Sequence, residues 1–579
     1  MPTLDFKGKP IIYAHHLTVP SRALELDAKK SLPPKGRKPS LDDNLIIHGD
    51  NLHALKALMP RYAGRVNCIY IDPPYNIGNE GWIYNDSVSS PMMKEWLKDK
   101  SPVDGEDLER HDKWLCMMWP RLQLLRELLA EDGVIFVSID DNEQHRLRMM
   151  MDEIFGEGNF VGAFVWEGTG KNDSKFISVT QDYIVVYARN FDMVKINKKR
   201  WRVFKRGLDE IYATVEALQN EHGNDYGLIS VKLQQWFSSL NKNHPAWKHK
   251  HYDMVDEKGI FFPGDISWPG GGGPTYEVLH PATKKAVKIP ARGWVFPARE
   301  TMLSAIKEGR VYFGKGETSV PNLKRYLHET DSQVLNSVIY QDRRAAHKRL
   351  KHILTESVFD YPKDERVLEL IFEAVTDGES IVLDSFAGSG TTAHAVLKLN
   401  NADGGNRKFI LVECEDNIAD KITAERIRRV IRGIPRSKDE SLQRGLGGSF
   451  TWCTLGDEIS IENMLTGRKL PDYETLARRV FCTATGQSPD TIRKARGEDG
   501  LFHETKDRLF YLIYEPEIAF LRSNKSALNS ERAGRIAKQA KAKKKTAVVF
   551  ATHKFMGQKE LGQMGITFAQ LPYCMNSGG

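Results

Sequence analysis

Short apolar runs alternate with helical patterns along both flanks of the chain, and this alternation is lost in the middle. Apolar runs occupy residues 45–48, 66–71 and 133–139, and similar runs return at 380–384 and 409–413. Strands that alternate with helices form a largely parallel sheet covered by helices. The sequence therefore predicts an α/β fold that is interrupted by an insert.

These changes of pattern divide the 579 residues into five segments. We expect an irregular lead-in, two halves of one α/β domain, an insert between the halves, and a mixed α/β C-terminal region. The segments are, in that order, residues 1–43, 44–195 with 346–435, 196–345, and 436–579. The α/β halves contain helical patterns next to the apolar runs, whereas basic and aromatic residues interleave in the insert.

Composition excludes several classes of protein. Hydrophobic residues make up 41% and charged residues 27%, which is ordinary for a globular protein. No apolar run reaches the length of a membrane span, and the six Cys form no CxxC pair. We therefore expect neither a membrane protein nor a disulfide framework, and a cytoplasmic location. The net charge of +7 permits a polyanionic partner without requiring one.

A glycine-rich turn follows the apolar run at 380–384. Phe386, Gly388 and Gly390 belong to the sequence FAGSG, which ends a predicted strand and opens a predicted helix. Glycines allow a ligand to approach the backbone closely, and a helix N-terminus attracts an anionic group. Glu413 ends the next strand, where an acidic side chain can accept hydrogen bonds from ribose hydroxyls. The pattern indicates a cofactor containing adenosine, and its alternative is a glycine turn without a ligand.

A second signature, Asp72-Pro73-Pro74-Tyr75, ends the apolar run at 66–71. The prolines stiffen the turn and remove two N–H donors, so acceptors and one aromatic face remain. Such a turn suits a planar base with an exocyclic amine, whose hydrogens the Asp72 carboxylate and the Pro73 carbonyl can accept. A base within a duplex must first be flipped out to reach such a site. An incidental Pro-rich turn is the alternative.

Together these signatures resemble the amino-methyltransferases that use S-adenosylmethionine. The tetrapeptide precedes the glycine loop and a large insert separates them, as in the β-class DNA methyltransferases, and Asp at the first position favours adenine N6. The resemblance extends to the modification subunits of type III restriction-modification systems. It is carried by residues 48–52, 71–80, 84–86, 138–143, 171–175 and 361–363. The chain departs from that family's usual residues at Phe176, at Gln181-Asp182 and at Asp364.

The resemblance implies a Rossmann-like methyltransferase sheet with circularly permuted motif order, an inserted target-recognition domain and a mixed C-terminal region. It implies that Asp72, Pro73, Pro74 and Tyr75 hold the target adenine, and that no metal is needed. The residues implied in S-adenosylmethionine binding are Asp50, Asn51, Lys363, Asp384, Phe386, Gly388, Gly390, Thr391 and Glu413.

Some roles stay open at this stage. Lys363 either reaches the cofactor carboxylate or is a solvated lysine. Asp140, Asp141 and Asn142 either line the pocket or cap the next helix. Trp166 either flanks the target base or belongs to the core.

Basic residues of the insert are the candidates for DNA contacts, since phosphates are bound by Lys and Arg. They are Lys199, Arg200, Arg202, Lys284, Lys285 and Arg292. The resemblance further implies double-stranded DNA as substrate, a homodimer, and a helicase-nuclease restriction subunit as partner in a prokaryotic nucleoid.

Other functions remain in view. An orphan adenine methyltransferase, a cytosine-N4 DNA methyltransferase and an RNA or protein methyltransferase would use similar chemistry. A decayed DNA-binding subunit is opposed by the intact signatures, and a nicotinamide oxidoreductase leaves the Pro-Pro-Tyr turn unexplained.

Overall fold

A ten-stranded sheet forms the framework of the larger of two structural units. The structure is a computed structural model, and the units comprise Met1–Trp201 with Asn336–Gly579, and Arg202–Leu335. It describes residues 3–77, 110–168, 176–197, 201–242, 244–314, 316–355, 359–458, 470–485, 489, 492 and 499–571.

The strands differ in length from two to eleven residues. They are β1 Arg22–Leu32, β2 Leu45–His48, β3 Val66–Ile71, β4 Leu129–Ile139, β5 Phe160–Glu167, β6 Gln181–Ala188, β7 Arg202–Phe204, β8 Met254–Asp256, β9 Gly259–Gly264, β10 Val311–Tyr312, β11 Asn322–Tyr326, β12 Ser332–Val334, β13 Val338–Tyr340, β14 Ile381–Asp384, β15 Lys408–Glu413, β16 Phe450–Glu458, β17 Leu501–Glu504, β18 Arg508–Leu512, β19 Ala527–Leu528, β20 Thr546–Ala551, β21 His553–Lys554 and β22 Ile566–Gln570.

The α-helices are α1 Lys9–Ile12, α2 His15–Thr18, α3 Asn51–Tyr62, α4 Arg110–Leu128, α5 Gln144–Phe155, α6 Phe191–Ile196, α7 Leu208–His222, α8 Tyr226–Ser239, α9 Arg299–Lys307, α10 Arg343–Leu354, α11 Glu365–Val375, α12 Thr391–Asp403, α13 Asp416–Ile418, α14 Glu425–Arg432, α15 Glu440–Arg444, α16 Tyr473–Thr485, α17 Ile518–Leu521, α18 Ser530–Ala542 and α19 Gln558–Gln563. A π-helix, Ala419–Ala424, joins α13 to α14. Within the described ranges, no helix is long and apolar enough to cross a membrane.

The order of strands in the large sheet is β1-β16-β2-β15-β14-β3-β4-β6-β5-β13. The five strands from β2 to β4 in this order are mutually parallel, so their carboxyl ends lie at one edge. Strand β6 is antiparallel to β4, with Tyr183 opposite Ile139, so β6 begins at that same edge. Loops at the carboxyl ends of parallel strands form the ligand sites of open α/β sheets.

Burial explains why these segments are strands. Every residue of β2 except His48 is buried, and β3 and β4 are buried along most of their length. The predicted strands at 45–48 and 66–71 are confirmed at both ends, and the predicted α/β sheet with permuted motif order is confirmed. Helices α3, α4 and α5 contribute to the largest hydrophobic core, together with side chains of these strands.

The lead-in and the tail differ from the sequence prediction. Residues 1–43, expected to be irregular, contain α1, α2 and the strand β1, and the expected tail contains β16. Strand β16 pairs in parallel with β2 and antiparallel with β1, which extends the large sheet by two strands. Strand β1 lies at the edge of the sheet and is only partly buried. It therefore lacks the continuous apolar run from which we predicted strands.

The second unit, Arg202–Leu335, has its own cores. A four-stranded sheet has the order β10-β11-β9-β8, and β7 pairs with β12. One core lies between α7, α8 and neighbouring strands and includes Ile211 and Phe237. The apolar and aromatic residues at 276–279 and 294–296 suggest short strands, but Leu279 and Trp294 form only isolated bridges.

The C-terminal residues of the first unit form a second, smaller sheet with the order β17-β18-β20-β22. Strands β18, β20 and β22 are parallel, and helices α18 and α19 lie between them in sequence. The basic run at 538–545 includes the end of α18, and Lys543 and Lys545 pair with Glu504.

Candidate active site

The turn Asp72-Pro73-Pro74-Tyr75 follows β3 at the edge of the sheet where the five parallel strands end, which we call the ligand edge. Side chains of neighbouring segments hold this turn in place. The Trp114 indole Nε1 donates to the Pro74 carbonyl over 2.7 Å. Asn76, which is fully buried with φ of 59°, donates through Nδ2 to Glu143 Oε1 over 2.6 Å. These contacts fix the turn on α4 and on the segment before α5, so Asp72 and Tyr75 have a defined place.

Lys363 contacts two residues of this turn. Its Nζ lies 3.2 Å from Asp72 Oδ1 and donates to the Tyr75 hydroxyl. It also lies 4.7 Å from the centre of the Tyr75 ring. Lys363 is therefore not a solvated lysine, and it contacts the Asp72–Tyr75 turn from the segment before α11.

Asp182, which sequence reasoning did not assign to the site, joins Asp72, Tyr75 and Lys363 as the fourth member of this group. It is buried at the start of β6, and its Oδ2 lies 3.6 Å from Lys363 Nζ. Asp182 directly precedes the apolar run 183–187, and the strand β6 begins at the ligand edge. This position could have identified Asp182 as a site residue. Sequence spacing alone does not show that β6 runs antiparallel to β4.

The surroundings of Asp72 and Tyr75 oppose ionisation of both side chains. Burial raises the pKa of Asp72, and the Lys363 ammonium opposes that shift. Burial and then the charge of Asp72 raise the pKa of Tyr75 well above its usual range, so its hydroxyl stays protonated. The arrangement offers acceptors beside an aromatic face, in a place where hydrogen bonds are only weakly screened.

The glycine loop lies at the end of β14, between β15 and β3 in the sheet. Gly388 and Gly390 have φ of 48° and 75°, in the left-handed region that favours glycine. A Cβ atom on Gly390 would lie 3.2 Å from Thr423 Cγ2. Thr391 starts α12, and its hydroxyl donates to the Lys363 carbonyl over 3.3 Å, which joins this loop to the segment whose Lys363 side chain contacts Asp72.

Asp384 shapes the start of the loop. Its carboxylate accepts from the Phe386 N–H over 3.0 Å and from the Thr392 hydroxyl over 2.6 Å. Burial raises the pKa of Asp384 to about 7. Asp384 and Phe386 are both buried, so they support the loop from the protein interior.

Glu413 faces the same loop from the end of β15. Its Oε2 accepts from the Gly388 N–H over 2.8 Å, and its Oε1 accepts from the N–H groups of Cys414 and Glu415. Burial raises the pKa of Glu413, and these three hydrogen bonds oppose the shift. A carboxylate, a helix N-terminus and left-handed glycines thus meet at one place, which fits S-adenosylmethionine.

Asp50 and Asn51 lie beside the loop and make structural contacts. Asp50 caps α3 by accepting from the N–H groups of Leu52 and His53. Asn51 donates to the Ser385 carbonyl over 2.9 Å and accepts from Arg121 Nε over 2.6 Å. Arg121, a fully buried residue that sequence reasoning missed, thereby connects α4 to the glycine loop.

Arg426 is a second buried cation that sequence reasoning missed. Its NH1 donates to the Ser389 carbonyl over 3.2 Å and to the Thr391 hydroxyl over 3.0 Å. Its NH2 lies 3.5 Å from Glu365 Oε2. These contacts hold α14 and α11 against the glycine loop. The sequence pattern predicted an amphipathic helix here, but it did not indicate that Arg426 is buried.

The residues with open roles occupy the neighbouring strand ends. Asp140 Oδ1 accepts from the Asn142 N–H over 3.0 Å, so it closes a turn, while Glu143 stands at the N-cap of α5. Asp141 accepts from Gln181. Trp166 is buried, and its ring centre lies 5.8 Å from Lys363 Nζ.

The basic residues of the insert are exposed where they are described, and several are paired. Arg202 donates to the Ser332 carbonyl, Lys285 lies 3.4 Å from Glu317, and Arg292 pairs with Asp265. Lys284 is exposed with φ of 58°. Lys199 and Arg200 lie outside the described residues, as do 78–109 and 169–175, which contain parts of the matched segments.

Comparisons with known proteins identify the family to which this chain belongs. A family model described as DNA methylase matches residues 66–425. The Mod subunit of the type III restriction-modification enzyme EcoP15I from Escherichia coli is 34% identical over 468 residues, which cover 76% of this chain and 70% of that protein.

Two further Mod subunits are similar. That of StyLTI from Salmonella typhimurium is 34% identical over 70% of this chain and 59% of its own length. That of EcoPI from Escherichia phage P1 is 31% identical over 83% of this chain and 76% of its own length.

Proposed function

We propose that this chain, which belongs to the DNA methylase family and is related to type III modification subunits, methylates the N6 amine of adenine at a specific DNA sequence. It is an S-adenosylmethionine-dependent DNA methyltransferase. The observation that supports this acceptor best is the Asp72-Pro73-Pro74-Tyr75 turn, which presents a carboxylate and an aromatic face at the ligand edge of the sheet. When bound, S-adenosylmethionine supplies a methyl group on a sulfonium that is a good leaving group.

The residues of the Asp72-Pro73-Pro74-Tyr75 turn, the proposed catalytic turn, would act mainly by their position and charge. The Asp72 carboxylate and the Pro73 carbonyl accept the two hydrogens of the amine, which directs its lone pair toward the cofactor side. Tyr75 stacks on the flipped-out base, and Pro74 keeps the turn rigid. The raised pKa of Asp72 lets this carboxylate take up the proton that the amine loses.

The cofactor would lie between the glycine loop and Glu413. Gly388, Gly390, Phe386 and the start of α12 at Thr391 frame its methionine part, while Glu413 accepts from the ribose hydroxyls. We assign Asp50, Asn51 and Asp384 supporting roles around this site, because each already holds backbone groups of the loop or of α3. Lys363, which contacts Asp72, belongs to the base side of the site.

The insert is our candidate for target recognition. Arg202, Lys284, Lys285 and Arg292 supply positive charge on its surface, and Lys199 and Arg200 belong to its first residues in sequence. Such residues suit phosphate contacts, which position a protein on DNA, whereas base edges specify the sequence. We further propose a homodimer that binds a helicase-nuclease restriction subunit, in the compartment that holds the chromosome.

Modification sequencing tests the function. The chain is expressed in a host that lacks DNA methylation, and its genomic DNA is sequenced with long reads beside an Asp72→Ala control. We expect N6-methyladenine in one short motif with the wild-type chain and none with the variant. The variant should keep its affinity for S-adenosylmethionine within about threefold, because Asp72 lies outside the glycine loop, while its turnover falls at least about 100-fold.

Three outcomes contradict the proposal or a part of it. N4-methylcytosine in place of N6-methyladenine would refute the acceptor. A mark that persists in Asp72→Ala would refute the role of Asp72, and equal loss of cofactor affinity and turnover would make that residue structural.

A further inference from the structure

The ammonium group of Lys363 lies where the proposed function requires the amine of the target base. Its Nζ is 3.2 Å from Asp72 Oδ1, and it lies 4.7 Å and 5.8 Å from the ring centres of Tyr75 and Trp166. It also donates to the Tyr75 hydroxyl. A lysine side chain with N–H donors meets Asp72 as the amine of adenine would, so the base and Lys363 compete for one acceptor.

Asp182 gives Lys363 a second acceptor. Asp182 Oδ2 lies 3.6 Å from Nζ, and Asp182 is 6% exposed. It lies opposite Trp166 in the pairing of β5 with β6, and β6 begins beside the end of β4. Because lysine has a flexible stem, Nζ can leave Asp72 and stay close to Asp182.

Charge makes this exchange necessary. An ammonium displaced from Asp72 within a buried site is costly unless another group compensates it. Water reaches the site poorly, since the Lys363 side chain is 16% exposed and that of Asp182 8% exposed. Asp182, whose carboxylate already lies 3.6 Å from this cation, therefore lowers the cost of admitting the base.

We propose that Asp182 is a positioning residue that receives Lys363 when the target adenine takes the place of its ammonium on Asp72. This inference rests on the proposed function, since it needs adenine as the acceptor. It assigns a role to the Gln181-Asp182 pair, where the chain departs from the resembled family. In the DNA-free enzyme the ammonium fills the base site, and binding of the base transfers it from one carboxylate to the other.

A double-mutant cycle tests the exchange. Asp182→Asn is made in the wild-type chain and in a Lys363→Met chain, since methionine keeps much of the length without the charge. Steady-state kinetics use a duplex oligonucleotide that carries the motif found by modification sequencing. The dissociation constant for the same duplex is measured by fluorescence anisotropy, so that the cycle can be completed even if Lys363→Met abolishes turnover.

With Lys363 present, we expect Asp182→Asn to raise KM and the dissociation constant for DNA about tenfold, which corresponds to about 1.4 kcal/mol. Its kcat should stay within about threefold of the wild-type value. With Lys363→Met, the same substitution should change DNA affinity less than about twofold. Affinity for S-adenosylmethionine, measured by calorimetry, should be unchanged in every variant that folds as the wild-type chain does.

The matched control is Asp192→Asn, which removes an exposed carboxylate after the far end of β6 and should change nothing. An effect of Asp182→Asn that is equal in both Lys363 backgrounds, or that falls on kcat with KM unchanged, would overturn the proposal. So would unchanged DNA affinity. If the wild-type chain itself marks no motif, the proposed function fails, which is distinct from a failure of the exchange in an active enzyme.

Discussion

Asp384 is a residue whose ionisation weakens the fold it supports. Burial raises its pKa from 3.8 to about 7, although Thr392 and Phe386 donate hydrogen bonds to the carboxylate. The folded chain therefore binds this proton more tightly than the unfolded chain. The stability that Asp384 contributes is fully present below pH 3.8 and is lost as the pH rises through about 7.

Asp384→Asn removes this pH dependence, because an amide does not ionise in that range. We expect the substitution to raise the melting temperature, relative to wild type, more at pH 8 than at pH 5. Thermal unfolding of both chains at the two pH values measures this difference, with the exposed Asp192→Asn as reference. A shift that is the same at pH 8 and pH 5 would mean that Asp384 titrates near its ordinary value.

Gly388 joins backbone conformation to the cofactor site. Its φ is 48°, its N–H donates to Glu413, and an added Cβ atom would lie 3.3 Å from the Phe359 ring. Gly388→Ala should lower the free energy of unfolding by about 1 kcal/mol and weaken S-adenosylmethionine binding at least about tenfold.

Gly404→Ala is the matched control for that prediction. Gly404 follows the other end of α12 with φ of 72° and open space around its Cβ position. It should lose similar stability while cofactor affinity stays at the wild-type value. Calorimetric titration that finds equal losses of affinity in both variants would show that the glycine loop does not bind the cofactor.

At the scale of elements, helix α14 supports the glycine loop through one buried cation. Arg426 contacts Ser389, Thr391 and Glu365, all of which are buried. Arg349 still pairs with Glu365 in the absence of Arg426, but Arg426→Leu removes one of two cations beside this buried carboxylate and the buried donor that Ser389 and Thr391 share. The substitution should therefore destabilise the chain by about 3 kcal/mol. Urea unfolding measures this, and Arg432→Ala, on the exposed side of the same helix, should change the midpoint little. Equal midpoints for the two variants would contradict this role.

The elements also show how far the sequence predicts this fold. Apolar runs located β2, β3, β14 and β15, because buried parallel strands have continuous apolar sequences. Strand β1 was missed because it is polar and half-exposed, and its partner β16 lies more than 400 residues away in sequence. In the same way, Asp72, Asp182 and Lys363 come from three separate segments, and only the order and direction of the strands bring them together.

At the scale of the molecule, the division into two units separates chemistry from recognition in our proposal. Asp72, Lys363, Gly388 and Glu413 all belong to the first unit, while Arg202–Leu335 has its own sheets and cores. Both chain crossings into the second unit lie next to short strands, β7 and β12, which pair with each other. The second unit can therefore be exchanged at closely spaced ends without interrupting a strand of the large sheet.

A chimera that carries residues 202–335 from a relative with another target should methylate that relative's motif. We expect S-adenosylmethionine affinity to remain within about threefold of the wild-type value, because the residues proposed to bind the cofactor are unchanged. Long-read sequencing of host DNA reads the motif directly, and the same chimera with Asp72→Ala should leave no mark. If the chimera binds the cofactor and still marks the original motif, recognition resides in the first unit. The Lys and Arg residues of the insert would then contribute only contacts to phosphates, which carry no information about sequence.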